Sequence, residues 1–206
     1  MDQDKILTEK ESLSIINEMI HQTREYFQKG AANISLFWGY YIAVIAIANF
    51  ILLQLPDIAR HSFWVWLLTI PGPFISLLIR KRTSSLVKTH INVIINKIWI
   101  SFGISTAVFI GMLYLSVAAI HIQSLPVVIT PVILIMLGMA HYATAAACKF
   151  KLYIYSALVF WTGALGCAAT LFMGRFYYNF IILAICMIGG MVIPGHILNS
   201  KAEKNV

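Results

Sequence analysis

Residues 177–198 read YYNFIILAICMIGGMVIPGHIL and contain no Asp, Glu, Lys or Arg. A helix needs roughly 20 predominantly apolar residues to cross the hydrocarbon core of a bilayer. The run is continuous and lacks the strict alternation of apolar and polar residues that is typical of a transmembrane barrel strand. Because backbone groups in hydrocarbon must be satisfied within the spanning element, this stretch predicts a membrane-spanning α-helix.

Five similar runs precede it, and the chain as a whole is 60% hydrophobic and only 11% charged. A soluble domain carries about 25% charged residues. We predict an all-α fold, a polytopic membrane bundle of six transmembrane helices in three hairpins, which forms one domain over residues 34–198. The predicted spans cover residues 34–55, 62–79, 98–120, 125–147, 153–173 and 177–198.

Basic residues lie almost entirely on one side of these predicted spans. They occur in residues 1–33, 80–97, 149–151 and 199–206, whereas the other side carries only Arg60 and Arg175. The positive-inside rule therefore predicts that both termini are cytoplasmic. The net charge of +7 is then mainly a topology signal and not an indication of nucleic-acid binding. Attraction to anionic lipid headgroups is expected at Arg80, Lys81 and Arg82.

Residues 1–33 predict a cytoplasmic amphipathic helix and a short link, with no cleavable signal peptide expected. Thr8 and Glu11 have the spacing of a capping box. One face of the helix is apolar and carries Leu13, Ile16, Ile20 and Phe27. This face has three interpretations: it lies in the headgroup layer, packs on the bundle, or docks a partner or a second copy. Residues 199–206 are predicted to form a cytoplasmic tail.

Intramembrane polar residues are few, and Asn49, His141 and His196 are the candidate polar site. Polar groups at membrane depth are functional hypotheses by default. Both histidines are expected in the cytoplasmic half, where their imidazoles either converge on a haem or a metal or serve as hydrogen-bonded contacts between helices. The second interpretation is favoured, so we predict no cofactor and no metal site.

Helix-breaking residues interrupt two of the predicted spans. Pro71, Gly72 and Pro73 break the second span, and Pro194 and Gly195 loosen the sixth. Broken helices at matched positions are a sequence signature of transporter binding sites. This pattern supports the alternative hypothesis of a small transporter or channel subunit.

Small residues recur every fourth position in several spans. The clearest cases are Ser35, Gly39 and Ala43; Gly103, Ala107 and Gly111; Ala140, Thr144 and Cys148; and Gly163 and Cys167. Small faces let helices approach closely, and packing is what drives helix association in lipid. They are predicted to be the seams of the bundle, with a homodimer face as the alternative.

Catalytic chemistry has no support in the sequence. No predicted span holds a carboxylate for general acid–base work, and neither H-E-x-x-H nor G-x-S-x-G occurs. The leading hypothesis is a non-enzymatic membrane protein that acts through its cytoplasmic face, where it binds a partner or copies of itself.

Three short stretches carry a resemblance to a known group of proteins. SLSIINEMI at residues 12–20, WGYY at 38–41 and IPGHILN at 193–199 resemble an uncharacterised family of small bacterial six-span membrane proteins. The resemblance implies the same topology and a location in the bacterial inner membrane. It implies no activity and no site residues.

Overall fold

The computed structural model describes residues 32–83, 90–120 and 125–204. Within these ranges the chain is helical and contains no strand. Six helices are long and apolar enough to cross a membrane, as the sequence predicted. The predicted amphipathic helix, with Leu13, Ile16, Ile20 and Phe27 on its apolar face, lies outside the described residues.

The six candidate spans differ in helix type, and we number them in chain order. Span 1 is the α-helix Asn33–Leu53, span 3 is His90–Ile120, and span 5 is Leu152–Phe172. Span 4 has a short 3-10 turn, Leu125–Val128, before the α-helix Ile129–Cys148. Span 2 consists of the 3-10 helix Ala59–Thr69 and the α-helix Gly72–Thr83. Span 6 runs through a 3-10 turn, an α-helix, a π turn and a second α-helix: Phe176–Tyr178, Asn179–Met187, Ile188–Val192 and Ile193–Lys204.

The two ends of the bundle are defined by side-chain contacts. At one end, which we call the basic end, Asn199 donates to Asn33 over 3.0 Å and the Lys201 ammonium lies 5.6 Å from the Phe150 ring centroid. At the opposite end, Phe50 lies 6.0 Å from Tyr178, measured between ring centroids. Span 1 is therefore antiparallel to span 6.

Spans 1, 4, 5 and 6 form the core of the bundle, whereas spans 2 and 3 lie at its edge. Between 28% and 56% of the residues in the apolar windows of the four core spans are buried, compared with 11% in span 2 and 6% in span 3. Span 2 packs on span 1, and span 3 packs on span 4. The main cluster of buried side chains combines residues such as Ala46, Leu134, Phe160 and Met187 from the four core spans.

Glycines set the close approach of the core helices. A Cβ added at Gly39 would lie 2.7 Å from Val192, and one at Gly190 would lie 2.6 Å from the Phe160 ring. At Gly138 the added carbon would overlap the Trp161 indole. The predicted small-residue seams of spans 1, 4 and 5 are confirmed as packed contacts, because Ala43, Thr144 and Cys167 are buried as well.

The predicted seam in span 3 is wrong. Gly103, Ala107 and Gly111 are all exposed, and a Cβ added at either glycine meets no described atom within 4 Å. The inward face of the helix instead carries larger residues, including Phe102 and Leu113. Small size alone does not distinguish a seam within the bundle from a seam on its surface.

The break in span 2 is a change of helix type at Pro71, which corrects the prediction of one helix over 62–79. In a 3-10 helix the carbonyl of Leu68 accepts from the N–H of residue 71. Proline has no N–H, so that carbonyl loses its partner. The Tyr41 hydroxyl of span 1 donates to the Leu68 carbonyl instead. The break is therefore satisfied by a neighbouring helix, as backbone groups in an apolar environment require.

We expect Tyr41→Phe to lower the free energy of unfolding by about 1 kcal/mol, because it leaves the Leu68 carbonyl without this donor. Unfolding in detergent micelles titrated with a denaturing detergent measures the change. Tyr155→Phe is the matched control, since Tyr155 is 64% exposed and its loss of a hydroxyl should be neutral. Equal effects of the two substitutions would contradict this role of Tyr41.

The break in span 6 lies earlier than the proline. The π turn Ile188–Val192 contains Gly189 and Gly190, whereas Pro194 is the second residue of the α-helix that follows. Because this helix continues directly from the π turn, the missing N–H of Pro194 leaves one carbonyl of the span without its helical donor. This helix continues to Lys204, past the predicted end at residue 198 and into the predicted tail.

Candidate functional site

His141 of the candidate polar site is buried among aromatic rings near the basic end. It is 0% exposed, and its ring centroid lies 5.1 Å from Trp99, 4.9 Å from Phe160 and 5.9 Å from Tyr153. Its Nδ1 lies 2.9 Å from the Leu137 carbonyl oxygen, which makes Nδ1 the protonated donor. The remaining ring nitrogen, Nε2, is buried and has no hydrogen-bond partner among the described residues.

His196 has different surroundings. It is exposed on the side of span 6 and its Nε2 lies 2.9 Å from the Tyr40 hydroxyl. The two rings are 6.0 Å apart between centroids and nearly perpendicular, at 71°. Tyr40 is itself 50% exposed, so this pair lies on the outer surface of the bundle.

The two histidines do not form one site. His141 contacts spans 3 and 5 inside the bundle, whereas His196 contacts span 1 on its surface. A haem or metal held by both imidazoles would need the two rings to face a common space. The described part of the chain also contains no group of three or more His, Cys, Asp or Glu side chains placed to hold a metal ion.

Asn49 lies near the opposite end of the bundle and is the most unusual polar residue of the three. Its side chain is 0% exposed, and neither its amide nitrogen nor its amide oxygen has a partner among the described residues. A buried amide without hydrogen bonds costs several kcal/mol in an apolar medium, about 2–7 depending on the reference state. Such a group therefore requires an explanation.

Three further polar side chains occupy the same region as Asn49. Ser62 in span 2 is 0% exposed, and its hydroxyl also lacks a partner among the described residues. The Thr170 hydroxyl lies 2.7 Å from the Cys167 carbonyl oxygen and within hydrogen-bond distance of the Asn179 side-chain amide. Asn179 is 3% exposed. We call Asn49, Ser62, Thr170 and Asn179 the polar layer.

Most of this layer was not predicted from the sequence. Only Asn49 was included among the candidate residues. Ser62 lies at the predicted start of span 2, where a serine is expected to face water, and Asn179 lies two residues into a predicted span. The missing information was the rotation of span 2 about its axis, which its packing on span 1 sets. This rotation buries Ser62 and leaves Phe63 and Trp64 exposed.

The helix-breaking residues have structural surroundings rather than a shared site. Gly72 packs against the rings of Trp38 and Tyr41, and a Cβ there would lie 2.6 Å from the Trp38 indole. Gly195 packs against Leu36, and a Cβ at Gly195 would lie 2.8 Å from the Leu36 side chain. Both glycines therefore allow spans 2 and 6 to approach span 1, while Pro71 and Pro194 mark changes of helix type.

Comparison of the chain with protein-family models, with curated proteins and with solved structures finds no match.

Proposed function

We propose that the protein is a non-enzymatic multi-pass membrane protein that acts by association with further copies of itself. In this proposal both termini are cytoplasmic and the membrane is the bacterial inner membrane. The distribution of basic residues supports the orientation. Six helices with the required length and apolar character support the membrane location.

The observation that carries self-association is the exposed small-residue face of span 3. Six described glycines in the other spans face a neighbour so closely that a Cβ would lie within 3.0 Å of it: Gly39, Gly72, Gly138, Gly163, Gly190 and Gly195. A Cβ at Gly103 or Gly111 would have no neighbour within 4 Å in the part of the chain that the structure describes. In this chain, glycines inside spans otherwise serve helix contacts, so we infer that this face contacts a helix from outside the bundle.

The geometry of span 3 favours a second copy as that partner. Among the described residues span 3 packs chiefly on span 4, so most of its circumference is free for another helix. Residues 103, 107 and 111 are one i, i+4 stripe, the arrangement that permits close helix pairing in lipid. The same stripe on a second copy is complementary to it, because small side chains on both helices let the two backbones approach closely.

The cytoplasmic segments contribute to this proposal but carry less weight. The amphipathic face of residues 1–33 remains a proposed docking surface for a partner or for a second copy. Arg80, Lys81 and Arg82 are proposed to attract anionic headgroups beneath the bundle.

We expect Gly103→Ile and Gly111→Ile to convert the assembly into monomers. A Cβ at either position meets no atom of the described residues within 4 Å, so the fold of the monomer should be unchanged. Counting subunits by single-molecule photobleaching in lipid nanodiscs or vesicles measures the assembly. Met112→Ile is the matched control, because Met112 is 57% exposed and lies about 140° around the helix from Ala107.

Cysteine cross-linking tests the same face directly. The native cysteine that is not fully buried, Cys148, is first replaced by alanine, whereas the buried Cys167 and Cys186 are kept. In this background Ala107→Cys should form an intermolecular disulfide, and Met112→Cys should not. A protein that is monomeric before any substitution contradicts the proposal. Equal cross-linking at residues 107 and 112 contradicts it too.

The transporter alternative is supported at only one level of the bundle. A transport site needs a water-accessible space lined by polar groups. At the level of His141 the imidazole is 0% exposed and packs among the rings of Trp99, Tyr153 and Phe160. The unpartnered amide of Asn49, at the opposite end, favours the alternative.

A further inference from the structure

Asn49 and Ser62 lie at the same depth in the bundle, as the contacts between spans 1 and 2 show. Tyr41 donates to the Leu68 carbonyl, which fixes the register of the two antiparallel spans. From Tyr41 to Asn49 the α-helix rises about 12 Å, at roughly 1.5 Å per residue. From Leu68 back to Ser62 the 3-10 helix spans about 12 Å, at roughly 2.0 Å per residue. The two elements pack together along this length.

Span 6 brings the rest of the polar layer to the same depth. Phe50, the residue after Asn49, lies 6.3 Å from Tyr177 and 6.0 Å from Tyr178, measured between ring centroids. Asn179 follows directly and is joined to Thr170 of span 5. Hydrogen-bonding groups from four spans therefore share one level of the bundle.

The unsatisfied groups at this level define the chemistry of a ligand. The Asn49 amide offers two donors and an acceptor, and the Ser62 hydroxyl offers one donor and an acceptor. A ligand that satisfies both must donate and accept hydrogen bonds. Neither side chain carries a charge that could neutralise an ion in an apolar interior, so the ligand is uncharged. Buried water in proteins typically makes about three hydrogen bonds to such groups.

We propose that Asn49 and Ser62 bind an ordered water molecule at the polar layer. The site lies within two helical turns of the connection between spans 1 and 2. The path for exchange of water with solvent at that end of the bundle is therefore short. The water satisfies both the Asn49 amide and the Ser62 hydroxyl, and it couples span 1 to span 2 at the end opposite the Tyr41–Leu68 hydrogen bond.

Replacement of the amide by an apolar side chain of similar size tests this site. If Asn49 is bound to water, Asn49→Leu removes those hydrogen bonds and lowers the unfolding temperature, by about 3 °C or more for a chain of this size. If Asn49 is truly unpartnered, the same change removes a buried unsatisfied group and leaves the unfolding temperature equal or higher. The second result overturns the proposal.

Ser62→Ala supplies a smaller change, which decides the matter if Asn49→Leu does not fold. It should lower the unfolding temperature more than the matched control Ser156→Ala. Ser156 is 0% exposed as well, but its hydroxyl has the Leu152 carbonyl of its own helix as a partner, at 3.4 Å. A Ser62→Ala effect no larger than the control contradicts the site. The double variant should lose less than the sum of the two single losses, because both groups share one ligand.

Radiolytic labelling separates a bridging water from direct contact between Asn49 and Ser62. Hydroxyl radicals formed at an ordered water label the nearest side chains, and we expect label on Phe50 or Trp66 in the intact protein in nanodiscs. The label should disappear in Asn49→Leu. Met187, which is 2% exposed within the apolar cluster, is the unlabelled reference. Two results overturn the proposal of a bound water. One is non-additive effects of the Asn49 and Ser62 substitutions without radical labelling of Phe50 or Trp66, and the other is labelling that persists in Asn49→Leu.

Discussion

Gly163→Ala should lower the free energy of unfolding by about 1–3 kcal/mol, the usual cost of overpacking a dense interior. Gly163 is buried in span 5, and a Cβ at this position would overlap the sulfur of Cys186 in span 6. The next contact, with Leu134, would lie at an ordinary 3.5 Å. The overlap therefore involves one atom of one side chain.

Because only the sulfur is involved, removing it should restore stability. The Cys186 Cβ would lie 3.6 Å from the added carbon, which is ordinary van der Waals contact. We expect Gly163→Ala combined with Cys186→Ala to be more stable than Gly163→Ala alone, with a coupling energy of about 0.5–3 kcal/mol. The double variant adds one carbon to span 5 and removes one sulfur from span 6, so the volume of the contact stays nearly constant.

Gly166→Ala is the matched control, since it lies three residues further along the same helix. Its Cβ would meet Ile182 at 3.5 Å, so it gains the helix propensity of alanine without a clash. Unfolding in mixed micelles, followed by tryptophan fluorescence, measures Gly163→Ala, Cys186→Ala, their combination and Gly166→Ala. If Gly163→Ala and Gly166→Ala behave alike, or if Cys186→Ala gives no rescue, spans 5 and 6 do not pack as described.

His141→Ala should have the largest effect of the substitutions discussed here, a loss of about 2–5 kcal/mol, because it leaves a cavity among packed side chains. The imidazole is 0% exposed and contacts Trp99, Tyr153 and Phe160. His196→Ala is the matched control, since His196 is exposed and has one hydrogen bond, with Tyr40. We expect a change below about 1 kcal/mol there.

His141→Phe distinguishes a packing role from a binding role. Phenylalanine fills the same space and removes the unpartnered Nε2, so it should recover most of the stability that His141→Ala loses. The same unfolding assay measures it. If His141→Phe is as unstable as His141→Ala, Nε2 has a partner in the membrane. That result would support a binding role for His141.

The helices and their positions could be predicted from the sequence because the signal is one of length and polarity. Each run without charge is long enough to cross a bilayer, and the six runs from 34–55 to 177–198 correspond to the six candidate spans. Two errors concern helix type, at Ala59–Thr69 and at Ile188–Val192. Apolar composition does not distinguish an α-helix from a 3-10 helix or a π turn, and a proline indicates only that a hydrogen bond is missing.

The candidate polar site could be predicted only in part. Asn49 was identified because an amide within an apolar run is rare, whereas Ser62 lies at a predicted helix end, where serine is common. His141 and His196 have similar distances from the basic end in the sequence, and depth was the only coordinate that the sequence supplied. The direction in which each ring points depends on how each helix is rotated about its axis, and neighbouring helices set that rotation.

The sequence by itself determined the number and order of the apolar helices, because backbone groups in hydrocarbon must be satisfied within each spanning element. It also determined the concentration of basic residues between them, because a charged side chain is costly in hydrocarbon. Only the tertiary structure decided which small-residue stripe is a seam and which is surface. Gly163 and Gly103 look alike in the sequence, yet Gly163 faces a sulfur atom in span 6, whereas Gly103 faces no atom of the described residues within 4 Å. The physical reason is that the apolar character of a membrane helix extends around its whole circumference, so polarity cannot mark the buried face, and packing with particular neighbours does.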